Sequence, residues 1–498
     1  MKAFLMFPND DFSSRQKFSW NASELKQDLE LNTLCKAMAS DDDFVFKMVM
    51  DAILSGLYND VETILYRQDI VKDCLNNASV VRDIYRIAVE AIESKNKHWW
   101  FLSTSPSSVL FSSVATLKTL LDFLKQLRSI TDEHAAKFTS KGFTTFFTML
   151  ERELDDEYLA RFQNHLQELG FPSGMLLSTG LGKGNKGTGY ILRKPFNKKE
   201  GWFQKFFAKK PPIYTFSIHP RDESGARALR ELKDEGINHV ANALAQSMEH
   251  ILSFFAMLRT ETAFYTGCLN LHEQLVQMDE PASFPVPLQH DKRLHTFEGL
   301  YDICLALTMK QKIVGNHLTA DNTTLVMITG ANQGGKSTFL RSIGLAQLMM
   351  QSGMFVPAGS FSANICDSLF THFKREEDNT MSSGKLDEEL SRMSNIIDHI
   401  TVNAIVLFNE SFAATNEREG SGIAAQIVSA LLDKGIKVFF VTHLFEFAHN
   451  FYEKKQNDSV FLRAERKTDG TRTFKLIEGE PLQTSFGKDL YNKIFINA

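Results

Sequence analysis

A glycine-rich segment that ends in a lysine and a serine is the first part of the sequence that could do chemistry. It reads GANQGGKS over residues 330–337, after the apolar run TLVMIT at 324–329 and before an amphipathic stretch. The spacing GxxxxGK[ST] between a strand and a helix is typical of a loop whose backbone amides hold nucleotide phosphates. In such a loop Lys336 reaches the outer phosphates and Ser337 ligates Mg²⁺. The pattern predicts ATP or GTP binding, and the residues expected to contact the nucleotide are Gly330, Asn332, Gly334, Gly335, Lys336, Ser337 and Thr338.

A carboxylate at the end of another apolar run is the second candidate group. The run AIVLF at 404–408 leads to Asn409 and Glu410. If it forms a strand of the same parallel sheet, Glu410 emerges at the edge where open α/β sheets bind ligands, and it can orient the attacking water. The neutral Asn409 stands where an ATP site of this type usually has an aspartate. We expect Asn409 to reach Mg²⁺ through a water molecule, and Mg²⁺ to bind more weakly.

A third apolar run, KVFFVTH at 437–443, ends in Thr442 and His443. A histidine at the end of a strand either senses the terminal phosphate or has a structural role. Its position after a third strand of the same pattern favours the phosphate, so Glu410 and His443 are the predicted catalytic pair.

The composition of the chain limits the number of domains and the class of protein. The chain has 498 residues, 43% of them apolar, and a net charge of −5, which predicts two to four folded domains and gives no general argument for nucleic acid. No uninterrupted apolar run reaches membrane-spanning length, and the N-terminus lacks the features of a signal peptide, so a cytoplasmic location is expected. The scattered cysteines indicate buried thiols rather than disulfides or a zinc site: Cys35, Cys74, Cys268, Cys304 and Cys366.

Helical periodicity dominates residues 25–280. Apolar residues recur at spacings of three and four through 143–169 and again through 226–259, and each stretch predicts one long helix. Two long helices around an insert indicate an antiparallel arm with a tip. Two ordinary helices of one bundle would give the same pattern.

The insert, residues 171–220, combines a glycine-rich stretch with many basic residues. The glycines favour a hairpin loop over a phosphate cradle, because no Lys-Ser/Thr pair and no helix follow them. Lysines attract phosphate backbones and aromatic side chains stack on bases, so the insert is a candidate DNA-binding segment; a solvated loop is the alternative. Its basic residues are Lys183, Lys186, Arg193, Lys194, Lys198, Lys199, Lys205, Lys209 and Lys210, interleaved with Trp202, Phe203, Phe206 and Phe207.

Taken together, these motifs resemble the MutS-type ATPases of DNA mismatch repair, within the ABC class. The resemblance covers about residues 314–495, with weaker similarity in the leucine-rich stretch 54–77. The segments that carry it are TGANQGGKST from 329, QSGMFVPAGS from 351, NESFAATNEREG from 409, THLFEFA from 442 and TSFGKDLYNKIF from 484.

The resemblance implies a multidomain fold: an all-α core and lever domain with a small basic, β-containing clamp insert, followed by an α/β P-loop ATPase domain of the ABC type. It implies a compact form without room for the mismatch-binding and connector domains of the full-length repair protein. The expected segments are an N-terminal segment 1–24, a helical core with the first lever 25–170, the clamp 171–220, the second lever and return to the core 221–298, and the ATPase domain 299–498.

The same resemblance implies ATP and Mg²⁺ as cofactors and a homodimer with Asn316 near the adenine. Each phosphate loop would face the partner's signature segment, which here departs from the family's Ser-Thr-Phe run and comprises Ser382, Ser383, Gly384 and Lys385. The function that follows is a slow, DNA-dependent ATPase, a dimeric clamp on duplex or branched DNA that works with repair proteins and not with membranes. Two alternatives stay open: a nucleotide-gated scaffold for a protein, and another ABC-type chromosome-maintenance ATPase.

Overall fold

The computed structural model describes residues 1–12, 18–98, 105–172, 174–194, 214–375, 384–454, 458–467 and 471–483. The chain divides into two compact units. The first contains Met1–Ala3, Arg82–Lys137 and Thr145–Arg259, and the second contains Phe4–Val81, Phe138–Thr144 and Thr260–Ala498. A helical N-terminal region is followed by mixed α/β sheets, as the sequence predicted.

The helices, in chain order, are α1 (Ala22–Asp28), α2 (Leu31–Ala39), α3 (Asp43–Ser55), α4 (Val61–Asn76), α5 (Ala78–His98), α6 (Pro106–His134), α7 (Lys141–Glu153), α8 (Asp156–Glu168), α9 (Glu223–Gln277), α10 (Ile303–Met309), α11 (Lys336–Gln351), α12 (Lys385–His399), α13 (Glu417–Asp433) and α14 (Phe445–Glu453). The strands are β1 (Leu176–Leu181), β2 (Gly187–Arg193), β3 (Val286–Leu288), β4 (His295–Leu300), β5 (Asn316–Thr319), β6 (Leu325–Thr329), β7 (Ser360–Asn364), β8 (Leu369–Phe373), β9 (Ile405–Asn409), β10 (Lys437–Val441), β11 (Ser459–Arg466) and β12 (Arg472–Glu478).

The prediction of one helix over 143–169 is wrong, because the stretch forms two helices, α7 and α8. Asp155 starts the second one: its carboxylate accepts a hydrogen bond of 2.6 Å from the Tyr158 amide, and two further acidic residues occupy the first turn. An N-cap and acidic residues at a helix start stabilise a new helix there, although the apolar spacing continues across the break. The second predicted helix is confirmed, and α9 is longer than predicted.

The glycine-rich part of the insert forms the predicted hairpin. Strands β1 and β2 pair antiparallel, with Leu181 opposite Gly187, and Gly184 adopts a φ of 68° in the loop between them. Within the first unit, Leu192 of β2 packs against a buried cluster formed by Leu110 and Ile237. The hairpin is therefore anchored by one strand face on the helices of this unit.

Among the described residues, one helical stretch, Pro106–Lys137, is long and apolar enough to cross a membrane. A single such helix is weak evidence, because the core helix of a soluble protein passes the same test. Leu117, Leu120 and Leu124 of this stretch are fully buried or nearly so in the first unit, as in a core helix.

The main sheet of the second unit has the order β12-β11-β6-β10-β9-β8. Strand β12 runs antiparallel to β11, and the other neighbours pair in parallel. The central strands are continuous apolar runs, as expected for strands covered by helices on both faces. Val406 and Phe408 of β9 pack in one cluster with Val428 of α13 and Phe447 of α14. A second sheet has the order β3-β7-β4-β5.

All five cysteines are buried and free, as the sequence predicted. In the described part of the chain, no group of three or more histidine, cysteine or acidic residues could hold a metal ion.

A candidate nucleotide site at the edge of the main sheet

Three adjacent parallel strands bring the predicted site residues to one edge of the main sheet. Val441 at the end of β10 lies opposite both Ile328 of β6 and Asn409 of β9. The backbone continues this register beyond the strands: the Glu410 amide donates to the Val441 carbonyl at 2.9 Å, and the Thr442 amide donates to the Ile328 carbonyl at 3.0 Å. The phosphate loop, Glu410 and His443 therefore follow neighbouring strands, as predicted.

The loop between β6 and α11 has a backbone that glycine makes possible. Gly330 and Gly335 have φ values of 108° and 86°, in a region that residues with a Cβ rarely adopt. A Cβ on Gly330 would also lie 2.8 Å from the backbone nitrogen of Ala464 in β11. Gly335 immediately precedes α11, so the loop ends at a helix N-terminus, where backbone amides and the helix dipole favour an anion.

Lys336 points back into this loop. Its ammonium group donates to the carbonyls of Gly330 and Ala331 at 3.0 Å each, and the residue is 5% exposed. Burial lowers the pKa of Lys336, while the nearby Glu410 carboxylate raises it and Arg472 lowers it. A phosphate placed in the loop would add negative charge directly beside this buried ammonium.

Ser337 and Asn409 form the part of the site that could hold a divalent cation. The Ser337 hydroxyl donates to Oδ1 of Asn409, the last residue of β9, at 2.9 Å. A hydroxyl and an amide oxygen side by side are suitable ligands for Mg²⁺, which prefers oxygen and keeps several waters. The pair is neutral, so it fits a weakly held ion that is shared with substrate phosphates.

Glu410 and His443 face each other at the same edge, with 4.0 Å between Glu410 Oε2 and His443 Nδ1. Their side chains are 29% and 38% exposed, so water reaches both. Glu410 has a φ of 54°, which is unusual for a residue with a Cβ. A strained residue at the end of a strand is a frequent feature of functional sites.

Strand β12 adds two residues that the sequence did not indicate. Arg472 donates to the side chain of Gln333 in the loop at 2.9 Å, and the ring of Phe474 lies 3.7 Å from the Cβ position of Gly335 while the residue is 51% exposed. Asn316, expected near an adenine, uses its side-chain amide on this strand: it donates to the Phe474 carbonyl at 3.2 Å and accepts from the Leu476 amide at 2.7 Å. Asn316 thus holds β12 in place beside the loop. Arg472 and Phe474 come near the loop because β12 pairs with β11, a contact that the sequence did not indicate.

Family models match most of the chain. The model of the MutS2 N-terminal domain matches residues 59–278, and that of MutS domain V matches residues 326–496, which include the phosphate loop, Glu410 and His443. The chain belongs to the MutS family.

Curated members of the MutS family give the extent of the similarity. The DNA mismatch repair protein MutS of Thermotoga petrophila is 32% identical over 200 residues, which are 40% of this chain and 25% of that protein. The MutS of Streptococcus mutans is 24% identical over 423 residues, 79% of this chain and 48% of that protein. The human MutS protein homolog 4 is 27% identical over 197 residues, 38% of this chain and 21% of that protein. The chain thus matches about a fifth to a half of the length of these MutS relatives.

Of the signature segment expected from the MutS resemblance, Gly384 and Lys385 are described. Gly384 is exposed and directly precedes α12, and Lys385 is the first residue of that helix. Ser382, Ser383 and the closing segment 484–495 lie outside the described residues.

Four of the predicted DNA-binding residues lie on or beside the hairpin, and all four are exposed: Lys183, Lys186, Arg193 and Lys194. Arg193 donates to the Ser178 hydroxyl at 2.9 Å, and Lys194 pairs with Glu168 at 3.1 Å. Tyr214 and Phe216, just after the insert's basic stretch, are 90% and 82% exposed. The other predicted residues, Lys198, Lys199, Lys205, Lys209 and Lys210, lie outside the described residues.

Proposed function

We propose that this MutS-family chain is a slow, DNA-dependent ATPase that acts as a homodimeric clamp on duplex or branched DNA in the cytoplasm. The observation that carries the proposal is the sheet edge, where a glycine-dependent phosphate loop, a serine–asparagine pair and a carboxylate–histidine pair follow three adjacent strands. We also propose the division of the chain into helical core and levers, a clamp at 171–220 and an ATPase domain of the ABC type from residue 299.

Each group at the edge has a role that its position supports. The loop amides and Lys336 bind the phosphates, and Phe474 offers an exposed ring next to the loop for the nucleotide base. Glu410 orients and polarises the attacking water, and His443 contacts the terminal phosphate. Mg²⁺, held by Ser337 and reached by Asn409, would neutralise charge on the phosphates.

DNA binding rests on the charge and exposure of the hairpin. When exposed lysine and arginine side chains contact a phosphate backbone, they displace the cations bound to the DNA, and this release favours binding. Exposed aromatic rings can stack on bases. The relatives carry the name DNA mismatch repair protein, which supports DNA as the target. In the proposed dimer, ATP closes two protomers head to tail through the Ser382–Lys385 segments, and hydrolysis reopens them.

Nucleotide binding and turnover in three proteins test the site. Lys336→Ala should weaken ATP binding by about tenfold or more, because it removes the buried cation. Glu410→Gln should bind ATP like the wild type but lose about 100-fold or more of kcat, because the amide cannot activate water. Equilibrium binding of a fluorescent ATP analogue and steady-state phosphate release measure the two effects.

The outcome also separates the competing functions. A wild type that binds no nucleotide would contradict the proposal. Nucleotide binding without turnover, and without any response to DNA, would instead identify a nucleotide-gated scaffold whose target is a protein.

A further inference from the structure

The loop that follows Glu410 is held in an unusual conformation. Glu410 and Phe412 have φ values of 54° and 62°, so two residues with side chains occupy the left-handed region within three positions. Each such residue costs roughly 1–2 kcal/mol, so neighbouring groups must stabilise the loop. Phe412 itself and Ser411, which lies between the two strained residues, are both fully buried.

His372 of β8 contacts both of these buried residues. Its Nδ1 lies 2.7 Å from the Ser411 hydroxyl, and its ring stacks on the Phe412 ring with 5.2 Å between centroids and 22° between planes. Its Nε2 lies 2.9 Å from the carbonyl of Glu389 in α12. His372 itself is fully buried. It therefore bridges the loop after Glu410 and the helix α12.

The protonation of this bridge follows from its partners. Burial is the main reason that the pKa of His372 is lowered to about 4, and Arg392 and Arg375 lower it further, while hydrogen bonds to backbone carbonyls oppose the shift. The ring is therefore neutral near pH 7 and carries one proton. The Glu389 carbonyl can only accept, so that proton lies on Nε2, and the single proton of the Ser411 hydroxyl is shared between Nδ1 and the His372 carbonyl, which lies 2.6 Å from the hydroxyl.

Glu389 holds the same loop from a second side. Its Oε2 accepts a hydrogen bond of 3.0 Å from the Phe412 amide, and the residue is 1% exposed. Glu389 lies one turn after Lys385, where α12 begins. The first two turns of α12 are thus joined to the loop after Glu410 by a side chain and, through His372, by a backbone carbonyl.

We propose that His372, through Ser411, and Glu389, through Phe412, are positioning residues that set the Glu410 carboxylate and couple it to the start of α12. The inference rests on the proposed function and adds its regulation. Because α12 begins at the segment expected to meet the partner's nucleotide, docking there would be transmitted to Glu410 by these hydrogen bonds.

Four variants test the coupling. His372→Asn places an amide near the Nδ1 position, His372→Gln places one near the Nε2 position, and Ser411→Ala removes the hydroxyl with little change of volume. His295→Asn is the matched control, because His295 is also fully buried in the second unit but lies on β4 and packs against Phe297, Phe361 and Phe439. Steady-state kcat, equilibrium ATP binding and thermal unfolding are measured for each.

We expect Ser411→Ala and both His372 variants to lower kcat by about 10- to 100-fold, since small displacements of a reacting group cost that much, with ATP affinity within about twofold of the wild type. His295→Asn should lower thermal stability and leave kcat of the folded protein unchanged. If all the variants lose stability alike and none loses kcat, the residues only support the fold and the proposal is wrong.

Amide hydrogen exchange keeps this test separate from the proposed function. An ATP analogue should slow exchange in residues 405–415 of the wild type, and this protection should be lost in Ser411→Ala and Glu389→Gln. If the wild type binds ATP without turning it over, the proposed function fails but the exchange difference still supports the coupling. Equal protection in wild type and variants would overturn the coupling whatever the turnover.

Discussion

At the scale of single residues, Asn409 distinguishes this site from an ATP site with an acidic residue before the catalytic carboxylate. Its Oδ1 accepts from the Ser337 hydroxyl at 2.9 Å, so the oxygen is already directed at the group that would ligate Mg²⁺. The geometry is that of an aspartate, but the negative charge is missing. The proposed Mg²⁺ ion should therefore bind weakly.

Asn409→Asp should therefore lower the Mg²⁺ concentration that gives half-maximal ATP turnover by about tenfold, because an added charge near the ion contributes on the order of 1–4 kcal/mol. A magnesium titration of steady-state hydrolysis measures the change. Asn242→Asp is the matched control, since Asn242 is an exposed residue of α9 in the other compact unit. An unchanged magnesium requirement in Asn409→Asp would show that this side chain does not act on the ion.

The sequence predicted the placement of those candidate residues that directly follow buried strands. The phosphate loop and Glu410 follow apolar runs that only buried strands explain, so their position at a common edge could be predicted. Arg472 and Phe474 could not, because they reach the loop only through the pairing of β12 with β11. The contacts of His372 could not be predicted either, because its partners Glu389 and Ser411 are 17 and 39 positions away along the chain.

At the scale of elements, the apolar periodicity predicted which residues a helix or strand buries, but it did not predict where each helix ends. The apolar spacing through 143–169 is continuous, yet the Asp155 cap divides it into α7 and α8. The strands β6, β9 and β10 appeared within one or two residues of their predicted limits, because each is apolar on both faces. Caps act through one hydrogen bond, which an apolar pattern does not record.

Strand β10 begins with Lys437, a lysine whose ammonium group is buried. Lys437 is 9% exposed, and its ammonium donates to the Ala320 carbonyl at 3.1 Å. Burial lowers the pKa of Lys437 to about 7, with Asp321 opposing the shift and Arg293 adding to it. The folded pKa lies below the unfolded value, so the unfolded chain binds more protons between these values and stability rises with pH across that window.

Lys437→Met should raise the free energy of unfolding near pH 7 by about 1–4 kcal/mol, because it removes the cost of a buried charge. It should also flatten the rise of the unfolding midpoint between pH 7 and pH 10. Thermal unfolding across that range measures both effects. Lys434→Met, at an exposed position just before β10, should leave the pH dependence unchanged; a parallel loss of slope in both variants would contradict the argument.

At the scale of the whole molecule, Arg67 links the end of the helix that begins at the phosphate loop to the N-terminal segment of the chain. After α11, the Ser352 carbonyl accepts from the fully buried Arg67 at 3.3 Å, and Arg67 also donates to the Met6 carbonyl at 2.8 Å. Glu261 of α9 accepts from the amides of Leu5 and Phe12 at 2.6 and 2.9 Å.

Burial raises the pKa of Glu261 to about 7. Through the hydrogen bonds of Arg67 and Glu261, residues 4–12 connect the end of α11 to α9 within the second unit. The composition of this segment gave no sign of such a role, because its contacts are made by backbone groups.

Helix α9 has residues in both compact units, Glu223–Arg259 in the unit that carries the hairpin and Thr260–Gln277 in the unit that carries the sheet edge. We predict that ATP turnover at the sheet edge responds to DNA on the basic hairpin. The pair Lys183→Glu and Lys186→Glu changes only exposed residues of the hairpin loop.

The most direct measurement is steady-state ATP hydrolysis with and without duplex and branched DNA, at low and high salt, in the wild type and in the Lys183→Glu, Lys186→Glu double variant. We predict that DNA stimulates the wild type, that salt removes the stimulation because the contacts are to phosphates, and that the double variant keeps its basal rate but loses most of the response. A DNA response that is identical in the two proteins, or a wild type that hydrolyses ATP and ignores DNA at low salt, would contradict the account.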